Sequence, residues 1–94
     1  MNISPEELDN LLSSHPKMLE VAVTGYDDDI LGEKVGVVAV VAEGETISLE
    51  EIIEFLRDQQ IAKYKMPEDL RLIDVLPKNP VGKVLRRELK DLFN

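Results

Sequence analysis

The sequence predicts an α+β domain in which a small, mostly antiparallel sheet of about three strands packs with about three helices. Three observations carry this expectation. Ser4/Glu7 and Ser48/Glu51 repeat the Ser-x-x-Glu pattern of a capping box, each ahead of an apolar stripe of helical period. Val35 to Val41 is almost wholly apolar and β-branched, which suits a strand covered on both faces. The 94 residues, 44% of them hydrophobic, suit one core and leave no room for a second, so residues 1–94 are read as a single domain.

The first helix is expected to open at Ser4, with Pro5 at the first helical position, where its missing N–H costs nothing. Ile3 and Leu8 are placed to form a hydrophobic staple, and Leu8, Leu11 and Leu12 share one face. The helix should end near His15-Pro16. Val21 to Thr24 reads as a strand, and Asp27-Asp28-Asp29 with Gly32 as the turn after it. Beyond the strand at 35–41, Glu43-Gly44 turns the chain into the second helix, where Ile47 and Ile52 form the staple. Leu49, Ile52, Ile53 and Leu56 make its buried stripe. A connector from Ile61 to Pro67 leads to a third, alternating strand at Leu70 to Ile73. Pro77-Lys78-Asn79-Pro80-Val81-Gly82-Lys83 is a loop, since two prolines and a glycine oppose regular structure. A last helix follows, with Leu85, Leu89, Leu92 and Phe93 facing inward.

Composition narrows the function classes. A net charge of −8 argues against a general nucleic-acid binder, which needs a basic surface to displace counterions. The charge is uneven: residues 1–60 hold three basic and fourteen acidic side chains, residues 61–94 eight basic and five acidic ones. A locally basic end suits a small anionic ligand. No stretch approaches the ~20 apolar residues of a membrane span. Without cysteine there is neither a disulfide framework nor a thiol nucleophile, and a cytoplasmic setting is expected by default.

Few residues offer chemistry. His15 is the one histidine, so a multi-histidine metal site or a His-based nucleophilic triad is out of reach, and a structural role is expected for it. Asp27, Asp28 and Asp29 are adjacent rather than alternate, with no glutamate closing a twelve-residue loop, so they do not read as a calcium loop. Gly82-Lys83 is not the end of a P-loop, because Pro77 and Val84 stand where that motif needs glycine and Ser or Thr. What remains is Lys83, a compact positive charge on a long stem, presented by a Pro- and Gly-rich loop ahead of a helix.

The run Pro77-Lys78-Asn79-Pro80-Val81-Gly82-Lys83-Val84-Leu85-Arg86-Arg87-Glu88-Leu89 resembles the closing signature of acyl-CoA synthetases and related adenylate-forming (AMP-binding) enzymes. Asn2 to Leu8 resembles the segment just beyond that family's interdomain hinge. His15-Pro16 with Val21-Ala22-Val23 and Gly32-Glu33-Lys34-Val35 is similar to its strand–turn–strand unit, and Tyr64-Lys65-Met66-Pro67 to the connector before its third strand. The resemblance implies the mobile C-terminal domain of an acid–CoA ligase, with the large N-terminal adenylation domain absent from this chain and the fragment inactive alone. It implies ATP and coenzyme A as substrates beside a carboxylic acid, with Mg2+ accompanying ATP but not bound by this domain. Lys83 then takes the position of the catalytic lysine for adenylation. Gly82 beside it, and Asn2, Ser4, Gly32 and Glu33 on a face used for thioester formation, are implied substrate- or cofactor-contacting residues. Lys63, Lys65, Arg86 and Arg87 are basic side chains near enough in sequence to meet polyanionic substrates. Val81 stands where many members have Ser, which leaves the subfamily open. The alternatives are the equivalent domain of an aryl-acid or amino-acid adenylating enzyme that loads a carrier-protein thiol, and a free-standing, non-catalytic acidic α+β binding module.

Overall fold

The apolar run at 35–41 becomes the centre of the sheet. The structure, a computed structural model, describes residues 5–30, 32–59 and 66–93. Its elements are α1 (Pro5–Leu12), β1 (Met18–Asp28), β2 (Gly32–Val41), α2 (Leu49–Asp58), β3 (Asp69–Leu72) and α3 (Arg86–Asp91). The strand order is β1-β2-β3. β1 and β2 pair antiparallel from Met18↔Val41 to Asp28↔Gly32, and β3 adds in parallel from Gly36↔Asp69 to Ala39↔Leu72. The sheet is mixed but mostly antiparallel, and the α+β expectation holds.

Alternation along β2 explains why almost no polar residue is needed there. Val35, Val37 and Ala39 point into one cluster with Leu8 and Leu12 of α1 and Ile52 and Leu56 of α2. Val38 and Val40 point the other way, joining Ala22, Leu76 and Leu89 with Ile73, Val84 and Phe93 packed alongside. Helices α1 and α2 thus cover one face of the sheet, and α3 with its preceding loop covers the other. Gly36 lets Phe93 lie against the strand: a Cβ there would sit 2.5 Å from the ring's Cζ.

Helix α2 forms as its sequence dictates. Ser48 Oγ accepts from Glu51 N at 3.1 Å and Glu51 Oε1 accepts from Ser48 N at 3.3 Å, closing the capping box. The staple partners Ile47 and Ile52 are both buried in one cluster. The corresponding devices of α1, Ile3 and Ser4, lie outside the described residues, as does the connector through residue 65.

Four local expectations are corrected. α1 stops at Leu12, ahead of His15-Pro16, because the hydroxyls of Ser13 and Ser14 donate to the carbonyls of Asn10 and Leu11, acceptors that a further turn would need. β1 is much longer than Val21–Thr24. Asp27 and Asp28 belong to it, paired with Glu33 and Gly32, since ladder bonds to β2 outweigh the turn preference of aspartate. The loop before α3 contains a β-bridge between Lys78 and Val84, so its prolines do not exclude regular pairing. α3 spans only Arg86–Asp91; Leu92 caps it and is 37% exposed, while Leu89 alone of the four expected inward residues is buried. His15 takes the structural role expected of it: Nδ1 accepts from Lys17 N at 3.1 Å and the ring lies 4.8 Å from that of Phe55.

Candidate functional site

The segment 77–85 is a small hairpin rather than an open loop. Lys78 and Val84 bridge, Leu85 N donates to Pro77 O at 2.9 Å, and Asn79 N donates to Lys83 O at 2.9 Å. Asn79 organises the tip from within. Its Oδ1 accepts from Val81 N and Lys83 N, each at 3.0 Å, while its carbonyl accepts from Gly82 N at 2.9 Å. Closing so tight a tip requires φ +90° at Gly82, a conformation costly for a residue with a Cβ.

Lys83 leaves this hairpin into solvent. It is exposed, and its ammonium group makes no ion pair among the described residues. Its cationic neighbours differ. Lys78 pairs with Glu20, and Arg71 with Asp69 at 2.7 Å. Arg86 is held by Asp9 at 2.5 Å and also donates to Val23 O. Two of the Arg86 N–H donors are therefore used within the domain, and its side chain stays 38% exposed. Arg87 is exposed, and Lys63 and Lys65 lie outside the described residues.

The second group of expected site residues sits elsewhere. Gly32 (φ +83°) and Glu33 are exposed at the start of β2, the Glu33 carboxyl lying over Gly25. Asn2 and Ser4 lie outside the described residues. The Lys83 hairpin is tied to β1 at Glu20 and Val23. Gly32 pairs with Asp28, five to eight residues further along that strand, or roughly 16–26 Å. The anchors of the Lys83 hairpin and the Gly32-Glu33 turn are therefore separated along β1.

Asp9, Glu20 and Asn79 were missed as site-forming residues. Asn79 carried a signal, an Asn-Pro pair in a turn-rich segment. Asp9 carried none, because its partner Arg86 lies 77 residues away. Burial pushes the Asp9 carboxyl above its ordinary 3.8, outweighing the hydrogen bond and charge of Arg86 that pull it down. Among the described residues no group of three or more His, Asp or Glu is placed to hold a metal ion, and no helix is long and apolar enough to cross a membrane.

The geometry is that of a three-layer α+β domain with an exposed lysine on a hairpin, and comparison with known proteins supplies the family. The model of the AMP-binding enzyme C-terminal domain matches residues 7–83, and the chain belongs to that family. It is 42% identical over 89 residues to a crotonobetaine/carnitine–CoA ligase of Shigella dysenteriae, covering 95% of this chain and 17% of that protein. It is 41% identical over 92 residues to the fatty acid–[acyl-carrier-protein] ligase ScoC of Streptomyces coeruleorubidus, covering 98% and 18%. The crystal structure of apo MatB from Rhodopseudomonas palustris superposes with a TM-score of 0.86 at 34% identity, over 99% of this chain and 18% of that one. The chain thus spans about a sixth of the length of the curated relatives it matches.

Proposed function

We propose that this domain serves an ATP-dependent acid–CoA ligase, and that Lys83 is its adenylation residue. In the first half-reaction a substrate carboxylate oxygen attacks the α-phosphorus of ATP, and the bond to pyrophosphate breaks. The Lys83 ammonium would orient the carboxylate and offset negative charge building on the phosphate oxygens. One such preorganised contact typically contributes ~10²–10³ in rate, or about 3–4 kcal/mol. In the second, a thiol attacks the acyl carbonyl and AMP leaves. The domain would rotate between the two, withdrawing Lys83 and presenting the face around Gly32 and Glu33, a gating step. Gly82 would serve by shaping the hairpin. An N-terminal adenylation domain would supply the acyl pocket and most contacts to ATP.

The observation that carries this reading is an exposed, unpaired Lys83 on a hairpin fixed to the domain body. A side chain locked beneath the sheet could not reach a partner domain. The separation along β1 of the Lys83 hairpin's anchors from Gly32-Glu33 supports rotation.

The likeness to a carrier-protein ligase keeps one alternative open, in which the thiol belongs to a carrier protein. Assaying the full-length enzyme with coenzyme A and with a phosphopantetheinylated carrier protein tests this. The proposal expects acid-dependent pyrophosphate release and faster acyl transfer to coenzyme A. Transfer to the carrier alone would replace the CoA reading, and no acid-dependent pyrophosphate release with any acid tried would remove both.

A further inference from the structure

The outer edge of β1 is closed by two side chains that come from opposite ends of the chain. β1 is an edge strand, because β2 pairs with only one of its sides. Val23 faces Val37 across the ladder, and its own N–H and C=O are taken from the other side. Asp9 Oδ1 accepts from Val23 N, Arg86 Nη1 donates to Val23 O, and Arg86 Nη2 donates to Asp9 Oδ2 at 2.5 Å. Peptide, carboxylate and guanidinium thus form a closed ring in which each satisfies the other two. The ring satisfies an edge that would otherwise be left with bare polar groups.

Edge protection alone does not account for where the arginine sits. Arg86 is the first residue of α3 and follows Lys83 by three positions. The same hairpin's other leg is held by Lys78 on Glu20, also in β1. Both legs of the Lys83 hairpin are therefore pinned to one strand, three residues apart. A partly buried ion pair adds little net stability, because the burial that raises the Asp9 carboxyl opposes part of its attraction for Arg86. Its geometry is more restrictive than its energy. Two different guanidinium nitrogens are used, which fixes both the position and the plane of the group; a lysine offers no such fork.

We infer that Arg86, held by Asp9 and the Val23 peptide, is a positioning residue that fixes the aim of Lys83. This rests on the proposed role of Lys83. A misplacement of about 1 Å at a reacting centre can cost up to ~10² in rate. In the full-length ligase, Arg86→Lys should lower kcat for acid-dependent pyrophosphate release by about ten- to a hundredfold, with KM for ATP and for the acid little changed. Asp9→Asn, which keeps an acceptor for Val23 N, should do the same more weakly. Acyl transfer from a pre-made acyl adenylate should stay near wild type in both.

The double variant Lys83→Ala/Arg86→Lys separates positioning from a structural role. If Arg86 acts through Lys83, the double variant is no slower in adenylation than Lys83→Ala alone. If the two losses multiply, or if both half-reactions fall together with the folded fraction, the inference is overturned. Should Arg86→Lys fail to fold, Asp9→Asn alone carries the comparison. Normal adenylation in Lys83→Ala would instead remove the reading beneath the inference. A slow Lys83→Ala beside Arg86→Lys and Asp9→Asn variants within twofold of wild type would remove the inference only.

Discussion

Replacing Asn79 with Ala removes the acceptor that holds the tip of the lysine hairpin. Its Oδ1 bonds Val81 N and Lys83 N at 3.0 Å each, and these are exposed interactions, for which the net contribution is about 0.5–1 kcal/mol apiece. Removing both therefore costs the ordered tip about 1–2 kcal/mol, a factor of roughly 5–30 in the equilibrium constant for its ordering. The bonds from Asn79 N to Lys83 O and from Gly82 N to Asn79 O are main-chain bonds and survive, so the hairpin loosens without opening. No buried apolar contact changes, so the stability of the domain should fall by no more than these roughly 1–2 kcal/mol. In the full-length enzyme, acid-dependent pyrophosphate release should fall by more than about twofold and by at most this factor of roughly 5–30, while acyl transfer from a pre-made adenylate is retained. Adenylation within twofold of wild type would refute the claim that tip order matters. A loss of stability well beyond about 1–2 kcal/mol in thermal unfolding would refute the claim that Asn79 acts locally.

Two further predictions concern the scaffold. Gly36→Ala should destabilise the chain by about 1–3 kcal/mol, because its Cβ meets the Phe93 ring at 2.5 Å, and that ring stacks on Tyr26 at 4.8 Å and carries the Arg71 guanidinium at 4.9 Å. In a Phe93→Ala background the same change should become neutral or stabilising, as alanine in a strand usually is; an unchanged penalty in thermal unfolding would show that the ring is not the obstacle. The second concerns acid. The hydrogen bond from Lys17 holds the Glu51 carboxyl below its ordinary 4.5. Folding favours the ionised form, so the pair contributes stability above pH 4.5 that is withdrawn as pH falls through the lower, folded value. Urea midpoints of wild type and Glu51→Gln should therefore converge on acidification, and a gap that stays constant would contradict this assignment.

How much of this was legible depended on how far apart the interacting residues lie. α2 was readable because Ser48, Glu51, Ile47 and Ile52 act within five residues. The central strand was readable because burial on both faces leaves an unbroken apolar run from Val35. Asp27 and Asp28 misled because three adjacent aspartates carry a strong local turn signal, whereas their strand state comes from pairing with residues across the hairpin. At the site, Lys83 stood out through the residues around it. Its supports did not: Lys78 finds Glu20 across 58 positions and Arg86 finds Asp9 across 77. Charge alone marked Arg86 as a basic side chain near Lys83; its contacts with Asp9 and the Val23 carbonyl at the edge of β1 became visible only in the fold.

The account turns on a positive charge delivered to one half-reaction and withdrawn from the other. Measuring both in the full-length enzyme carrying Lys83→Ala tests it most directly. Pyrophosphate release from acid and ATP should fall by ~10²–10³, while a pre-made acyl adenylate should still pass its acyl group to coenzyme A at close to the wild-type rate. Equal losses in the two assays, or no loss in the first, would contradict it.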